Sequence, residues 1–187
     1  MEGVVDWVED EFMERCSHAL TVDGRTWLID PVDNPLVDEL ENVAGVIQLL
    51  DRHNRDCAAI AARLDVPHHV VPHGGIPPFA VIGVRDSRRW HEVALWWEER
   101  RLLVCAEALG TAAYYRGGGE RLAVHPLMRL RPPSFSVRPD VILCGHGPAV
   151  YADATAALHE ALSTSRRRIP RQVVSAVRAW RRRPTSR

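Results

Sequence analysis

The stretch Leu49-Leu50-Asp51-Arg52-His53-Asn54-Arg55-Asp56-Cys57-Ala58-Ala59-Ile60 decides how the rest of the chain is interpreted. The apolar run Gly45–Leu50 that enters it is typical of a strand, and the alanine-rich run Ala58–Leu64 that follows is typical of a helix. Functional residues favour such turns, because rigid elements hold the loop while its side chains stay exposed. The seven positions 51–57 carry Asp, Arg, His, Asn, Arg, Asp and Cys, so we expect a functional site here.

The segments on either side of this turn predict a mixed α/β class. Val66–Val71 is typical of a strand, and the order strand, helix, strand predicts a βαβ unit. Asp23-Gly24 separates two β-rich runs and predicts a tight hairpin. The other predicted elements are a short helix or irregular arm over 1–15, a helix from Asn34 to about Val43, antiparallel strands within 74–107, a strand over Asp140–Cys144 and a helix over Ala152–Leu162.

The composition predicts a globular protein with a sizeable core. The 187 residues carry a formal net charge of zero, so the chain as a whole is an unfavourable partner for nucleic acid. Its four cysteines lie far apart, without the C-x-x-C spacing of a metal or redox motif, and no signal peptide or long apolar run is evident. We therefore expect a cytoplasmic protein with reduced thiols and no transmembrane segment, and homo-oligomer formation stays open.

The end of the chain differs from the rest in charge. We divide the sequence into a domain over 1–164 and a basic helix or tail over 165–187, which contains nine arginines. One interpretation of the tail is an amphipathic helix docked on the domain. The alternative is a contact for a subunit, an anionic membrane surface or nucleic acid. The apolar residues that fall near helical spacing are Ile169, Val173, Val174, Val177 and Trp180.

Four landmarks, taken together, resemble the metallo-β-lactamase fold. They are Thr26–Pro31, an early strand ending in Ile-Asp-Pro; Leu50–Cys57, in the place of the Thr-His-x-His-x-Asp-His loop; Leu102–Leu109, in the place of the strand ending in Gly-Asp; and Val141–Gly147, a strand ending in Gly-His-Gly. The resemblance covers roughly residues 17 to 162. It implies a four-layer αββα sandwich, the architecture of binuclear metal hydrolases.

The resemblance also implies that one of the two metal subsites is lost. With Asp56 aligned to the Asp of the loop motif, Arg52 and Asn54 stand where the family has its first two histidine ligands. Arg88 is the residue nearest in sequence to the position of the family's middle histidine ligand, although His91 is close enough to leave that register open. A guanidinium group stays protonated and cannot ligate a metal ion.

The other subsite keeps groups that can bind a metal. The resemblance implies Asp56, Cys57, Glu107 and His146 as its ligands, with Glu107 in place of the bridging Asp. Carboxylate, thiolate and imidazole all bind Zn²⁺, so a single Zn²⁺ or Fe²⁺ ion is one hypothesis. Asp56 and His146 would then be catalytic.

Two functions follow from these departures, and whether the protein is an enzyme stays open. In the first, which we rank ahead, no metal binds and Asp56 and Glu107 are neutralised by Arg52 and Arg88, giving a pseudoenzyme or binding domain. In the second, a mononuclear hydrolase acts on a small anionic ester, thioester or phosphodiester, which Arg52 and Arg88 bind. A third hypothesis gives the basic tail an assembly or nucleic-acid-binding role.

Each candidate also has a simple structural interpretation. Asp56 is typical of a helix N-cap, Cys57 of a small buried residue, and His146 of a turn histidine bonded to backbone. Arginines are usually solvated. His53 lies between two motif positions, and we expect it to point away from the site if the turn is extended.

Overall fold

Two β-sheets organise the chain in this computed structural model, which describes residues 1–53 and 55–181. The strands of the first sheet are β1 (Val4–Val8), β2 (Cys16–Val22), β3 (Arg25–Ile29), β4 (Val43–Gln48) and β5 (His68–Val70), in that spatial order. The first three run antiparallel, and β3, β4 and β5 run parallel. These pairings confirm the predicted hairpin and the predicted βαβ unit.

The second sheet contains β6 (Ala80–Ser87), β7 (Trp90–Trp97), β8 (Leu102–Cys105) and β11 (Val141–Cys144), in the spatial order β11-β8-β7-β6. Antiparallel pairing of β6 with β7 and of β7 with β8 confirms the strands predicted within 74–107. Strand β11 pairs with β8 in parallel. Between β8 and β11, the short strands β9 (Leu109–Gly110) and β10 (Ala123–Val124) form a separate antiparallel pair.

The helices are short. They are α1 (Leu36–Glu39), α2 (Cys57–Leu64), a 3₁₀ turn (Pro126–Met128), α3 (Ala154–Thr164) and α4 (Ile169–Arg181). Within the described ranges, none combines the length and apolar character needed to cross a bilayer.

Alternate side chains of the strands separate into three hydrophobic clusters, because successive residues of a strand point to opposite faces. The central cluster joins Ile29 and Ile47 of the first sheet to Leu95 and Val104 of the second. A second cluster packs the outer face of the first sheet on α2, and a third packs the outer face of the second sheet on α3. The mixed α/β class is confirmed.

Two predicted elements differ in the structure. The N-terminal segment forms β1 rather than a helix, because Trp7 packs against the α2 side of the first sheet and donates from Nε1 to the carbonyl of Val32 at 3.0 Å. Helix α1 ends well before Val43, because Leu40 is already extended and Asn42 has a positive φ of 52°. The chain then enters β4 directly.

Candidate metal centre

Four polar side chains follow the carboxyl ends of strands from both sheets. Asp30 follows β3, His53 lies in the loop between β4 and α2, Glu107 follows β8, and His146 follows β11. Both β3–β4 and β8–β11 are parallel pairs, so each pair delivers its two loops to the same edge of its sheet. Sequence segments up to 116 residues apart therefore meet at one site.

The carboxylate of Glu107 is the centre of this site. Its Oε1 lies 2.9 Å from Nε2 of His146 and 3.1 Å from Nε2 of His53. The ligand atoms of His53, Glu107 and His146 all lie within 4.8 Å of one another. Both imidazoles are buried, and the carboxylate side chain is 14% exposed. The three side chains thus form a compact set of two imidazoles and one carboxylate.

The far nitrogens of both imidazoles face acceptors. Nδ1 of His146 lies 2.8 Å from the carbonyl oxygen of Met13. Nδ1 of His53 lies 3.2 Å from Oδ2 of Asp30, an ion-pair distance, although the geometry is not that of a regular hydrogen bond. The acceptors beside the two Nδ1 atoms favour protons there, which would leave both Nε2 lone pairs available to a metal ion in place of the hydrogen bonds to Glu107, the tautomer that a metal-binding histidine needs.

The electrostatics of the site favour an ionised Glu107. Burial alone would raise the pKa of this carboxyl, but hydrogen bonds from His146 and His53 hold it well below its usual range. For His53, burial would lower the pKa, yet the nearby Asp30 carboxylate raises it above the ordinary value. The site therefore keeps a negative charge surrounded by nitrogen donors.

Two further residues orient the Glu107 carboxylate. The hydroxyl of Tyr115 lies 3.0 Å from Oε2, and Nε2 of His125 lies 3.3 Å from the same oxygen. Burial lowers the pKa of His125 to about 4, so this imidazole is neutral near pH 7. Its Nδ1 accepts the backbone N–H of Leu127, which places the remaining proton on Nε2, facing Glu107.

The backbone of Glu107 is also fixed. One carboxylate oxygen of Glu92 accepts the backbone N–H groups of Glu107 and Ala108, at 2.9 and 2.8 Å. The other accepts Nε1–H of Trp90 at 2.7 Å. Burial raises the pKa of Glu92 to about 7. These contacts set the position of the loop that carries Glu107.

The two glycines around His146 are required by close backbone contacts. A Cβ atom on Gly145 would lie 2.3 Å from the carbonyl oxygen of Ala106. Gly147 has a φ of +81°, and a Cβ there would lie 2.3 Å from the backbone nitrogen of Ala112. The Gly-His-Gly sequence thus lets β11 turn tightly beside the Glu107 loop and present the imidazole.

A partly buried cation lies beside the cluster. The guanidinium of Arg55 donates to the carbonyl oxygens of Cys16, of Asp30 at 2.9 Å and of Gly145 at 2.8 Å. These carbonyls belong to three separate segments, and two of them flank the loops that carry Asp30 and His146. Arg55 therefore ties the loops of the site together and adds a fixed positive charge.

The structure brings together two of the four predicted metal ligands, Glu107 and His146. It places Asp56 and Cys57 outside the cluster. Oδ2 of Asp56 accepts a hydrogen bond from the backbone N–H of Asp33 at 2.8 Å. The Asp56 side chain does not cap the N-terminus of α2. Cys57 packs in the α2 cluster, where burial raises the pKa of its thiol and disfavours the thiolate.

The predicted anion-binding residues lie at the surface. Arg52 is half exposed, with its guanidinium 4.7 Å from the centre of the Trp90 ring. Arg88 lies exposed in the turn between β6 and β7. The expectation that they neutralise Asp56 and Glu107 is not met, because the contacts of Glu107 come from histidines and Tyr115. Asn54 lies outside the described residues.

The expectation that His53 points away from the site is wrong. The chain does not stay extended here, because the backbone N–H of His53 bonds to the carbonyl of Leu50 and forms a turn. The alternation of an extended strand therefore fails, and His53 faces Glu107. A register shifted by one residue in the loop motif was the signal that could have found it. Tyr115, His125 and Arg55 carried no such signal.

Comparison with known proteins identifies the fold of this chain. No protein-family model matches the chain, and no curated protein matches it in sequence. Solved structures do match. Rubredoxin:oxygen oxidoreductase from Desulfovibrio gigas superposes with a TM-score of 0.62 at 13% identity, over 88% of this chain and 60% of that one. This chain thus spans less than two thirds of that oxidoreductase.

For two further solved structures, the matched region covers nearly the whole of the other chain. The DIM-1 metallo-β-lactamase gives a TM-score of 0.58 at 10% identity, over 88% of this chain and 94% of that chain. TTHA1623, solved in a di-iron-bound form, gives 0.53 at 14% identity, over 82% and 96%. The protein therefore has the metallo-β-lactamase fold, which confirms the resemblance drawn from the four landmarks. Identities this low show the fold alone.

Proposed function

We propose that the protein is a mononuclear metal-dependent hydrolase. The observation that carries this proposal is the cluster of His53, Glu107 and His146, with Nε2 of both imidazoles facing the carboxylate and with both Nδ1 atoms facing acceptors. A histidine that binds a metal ion in a protein usually has its other ring nitrogen facing an acceptor, as both histidines do here. This hypothesis ranks ahead of the pseudoenzyme, reversing the order that the sequence favoured.

The chemistry of the donor set fits a divalent ion. His53 and His146 would hold it through Nε2, and Glu107 would hold it through its carboxylate. Two imidazoles and one carboxylate are a known ligand set for Zn²⁺ and for non-haem Fe²⁺. When bound, such an ion supplies Lewis-acid polarisation of an acyl or phosphoryl oxygen. The neutral His125 and Tyr115 keep Glu107 oriented toward the two imidazoles.

The arrangement favours one ion rather than two. Asp56 and Cys57 are engaged elsewhere, and among the described residues no second group of three ligands lies close enough for another ion. Arg55 places a permanent positive charge beside the cluster, which disfavours a second cation there. We propose that Arg55 replaces part of the charge that a second ion would supply.

Arg52 suggests a small anionic substrate. Its guanidinium stacks on Trp90, and the Trp90 ring in turn lies 5.0 Å from the ring of His125. Arg52 is therefore connected to the Glu107 site through a single aromatic ring, while its exposure leaves the guanidinium accessible. We propose that it binds a carboxylate or phosphate of an ester, thioester or phosphodiester.

A metal-free binding domain is the second candidate, and one observation favours it. His53 lies between the carboxylates of Asp30 and Glu107, and its pKa is raised, so a protonated imidazole would balance the charge of the site without an ion. This candidate predicts ligand binding without turnover.

Turnover by metal-loaded protein separates the two candidates. The full chain, reconstituted with Zn²⁺ or Fe²⁺, should hydrolyse at least one substrate in a panel of carboxylate-bearing esters, thioesters and phosphodiesters. Glu107→Gln and His146→Ala should abolish this activity, and His69→Ala, in β5, should leave it intact. Arg52→Gln should raise KM with little change in kcat, whereas Arg89→Gln should change neither. Full metal loading without turnover of any substrate would contradict the hydrolase proposal.

A further inference from the structure

Helix α4 carries an exposed apolar stripe formed by Val173, Val174, Val177 and Trp180. These side chains belong to residues that are 45–61% exposed. Positions 173, 177 and 180 follow the i, i+4, i+7 spacing of one helix face. Several large apolar residues in one continuous exposed stripe are unusual for a surface helix and are typical of an interaction site.

The opposite side of α4 is already held by the domain. Gln172 is buried and donates from its amide to the carbonyl oxygen of Tyr114 at 2.8 Å. Just before the helix, the guanidinium of Arg168 pairs with Glu160 and lies 3.7 Å from the carboxylate of Glu120. The helix is therefore anchored with its stripe turned outward.

Arginines border the stripe. Arg171 and Arg178 are three residues before and four residues after Val174, which places them beside it on the helix surface. Together with Val174 they line a surface hollow of about 400 Å³. A second hollow of about 310 Å³ is lined by Arg167, Arg168 and Arg171 together with Thr164. No acidic residue occurs from Ser165 to the end of the chain.

We propose that α4 docks the protein on an anionic phospholipid surface. The valines and Trp180 would enter the boundary between headgroups and acyl chains, and the arginine-lined hollows would receive lipid phosphates. An exposed apolar stripe with an aromatic residue, bordered by arginines, matches such a surface in both polarity and charge. This role is independent of the metal centre.

Other occupants fit less well. A second copy of the helix would bring two arginine-bordered stripes together without an acidic residue to pair them. Nucleic acid would engage the arginines but would leave the valines exposed to water. The combination of both surfaces on one helix therefore favours the lipid.

Vesicle sedimentation of the full chain tests the proposal. Vesicles of phosphatidylglycerol and phosphatidylcholine should bind the protein, and vesicles of phosphatidylcholine alone should bind it far more weakly. Arg171→Gln with Arg178→Gln should lower the affinity about 25-fold, roughly fivefold for each arginine. Arg89→Gln with Arg138→Gln, in exposed positions of the domain, is the matched control and should leave the affinity unchanged.

The apolar contribution has its own variant. Val173→Ser with Val177→Ser should lower the affinity at least about tenfold, since two partly inserted side chains are lost. Val70→Ser, equally exposed at the edge of the first sheet, is its control. Circular dichroism should show unchanged helix content in all variants.

Several results would overturn the proposal. Equal binding to anionic and neutral vesicles would remove the role of the arginines, and absence of binding to either would remove the surface altogether. Self-association that is lost in the double-valine variant would assign the stripe to a second copy. Binding to a DNA duplex that exceeds vesicle binding, and that the valine changes leave unaltered, would assign the arginines to nucleic acid.

Discussion

Replacing Asp30 by Asn should weaken metal binding without removing a ligand. Asp30 is buried, and its Oδ1 accepts the backbone N–H of Leu49 at 3.0 Å. An Asn side chain should keep that contact, since an orphaned buried N–H costs about 1–3 kcal/mol. Its NH₂ group would then face Nδ1 of His53. The positive φ of residue 30, 45°, is one that Asn tolerates.

This orientation reverses the protonation of His53. An amide N–H directed at Nδ1 requires Nδ1 to accept, so that the proton moves to Nε2, the atom that would bind the metal. Loss of such a supporting partner typically lowers metal affinity about 10–100-fold, or about 1.4–2.7 kcal/mol. We expect the upper part of that range, because both the charge of Asp30 and the favoured tautomer are lost.

Competition with a chromogenic chelator measures the affinity of wild type and variant for Zn²⁺. Asp33→Asn is the matched control, because Asp33 is an exposed carboxylate that pairs with Arg63. A thermal melt of each metal-free protein shows that the variants fold. An affinity of Asp30→Asn within about twofold of wild type would refute the argument that Asp30 orients a metal-binding His53.

Three further predictions concern stability. Arg129→Met should lower the free energy of unfolding by about 3–5 kcal/mol in a denaturant titration, because it leaves Glu120 buried without its main partner; a loss no larger than that of an exposed pair would contradict this. Arg55→Met should cost about 2–4 kcal/mol in the same titration, since carbonyls of three segments lose a charged donor; an unchanged midpoint would show that the loops hold without it. Burial would raise the pKa of Asp6, but its hydrogen bond with His18 lowers it, so this contribution to stability is present above about pH 4 and is lost as the pH falls further. Asp6→Asn should therefore lose less of its thermal midpoint than wild type on acidification from about pH 6 to about pH 3, and parallel curves would refute the assignment.

Local patterns in the sequence were enough to predict the scaffold. The hairpin follows from Asp23-Gly24, which permits the positive φ values of a tight turn at both positions. The positions of Glu107 and His146 follow from the short apolar runs that end just before them. A polar residue that directly follows a buried strand lies in the loop at the end of that strand. The glycines beside His146 mark a contact too close for any side chain.

The site itself depends on contacts that local patterns do not encode. His53 was missed because one backbone hydrogen bond to Leu50 converts an extended segment into a turn and reverses the direction of the side chain. His125 approaches Glu107 only because β10 pairs with β9, two strands of two residues each that no periodicity can reveal. Arg55 has a side chain long enough to reach three separate segments, and its partners are backbone carbonyls, which every residue offers.

The contacts of Asp56 also could not be predicted from local sequence patterns. Its position before α2 and inside a motif-like loop favoured both a cap and a metal ligand. In the structure its carboxylate accepts the backbone N–H of Asp33 instead, a partner 23 residues away in sequence. The identity of the partner depends on how the loop after β3 packs against α2, which is a property of the whole fold.

Metal stoichiometry tests the central claim most directly. Elemental analysis should be made on the full chain after exposure to Zn²⁺ or Fe²⁺ and removal of the excess, and on His53→Ala, His146→Ala and the control His69→Ala. The proposed site predicts about one ion per chain in wild type and in the control, and a large loss in both site variants. Two ions per chain, or one ion that survives His53→Ala, would contradict the proposed site, and no retained ion would leave the metal-free binding domain as the better account.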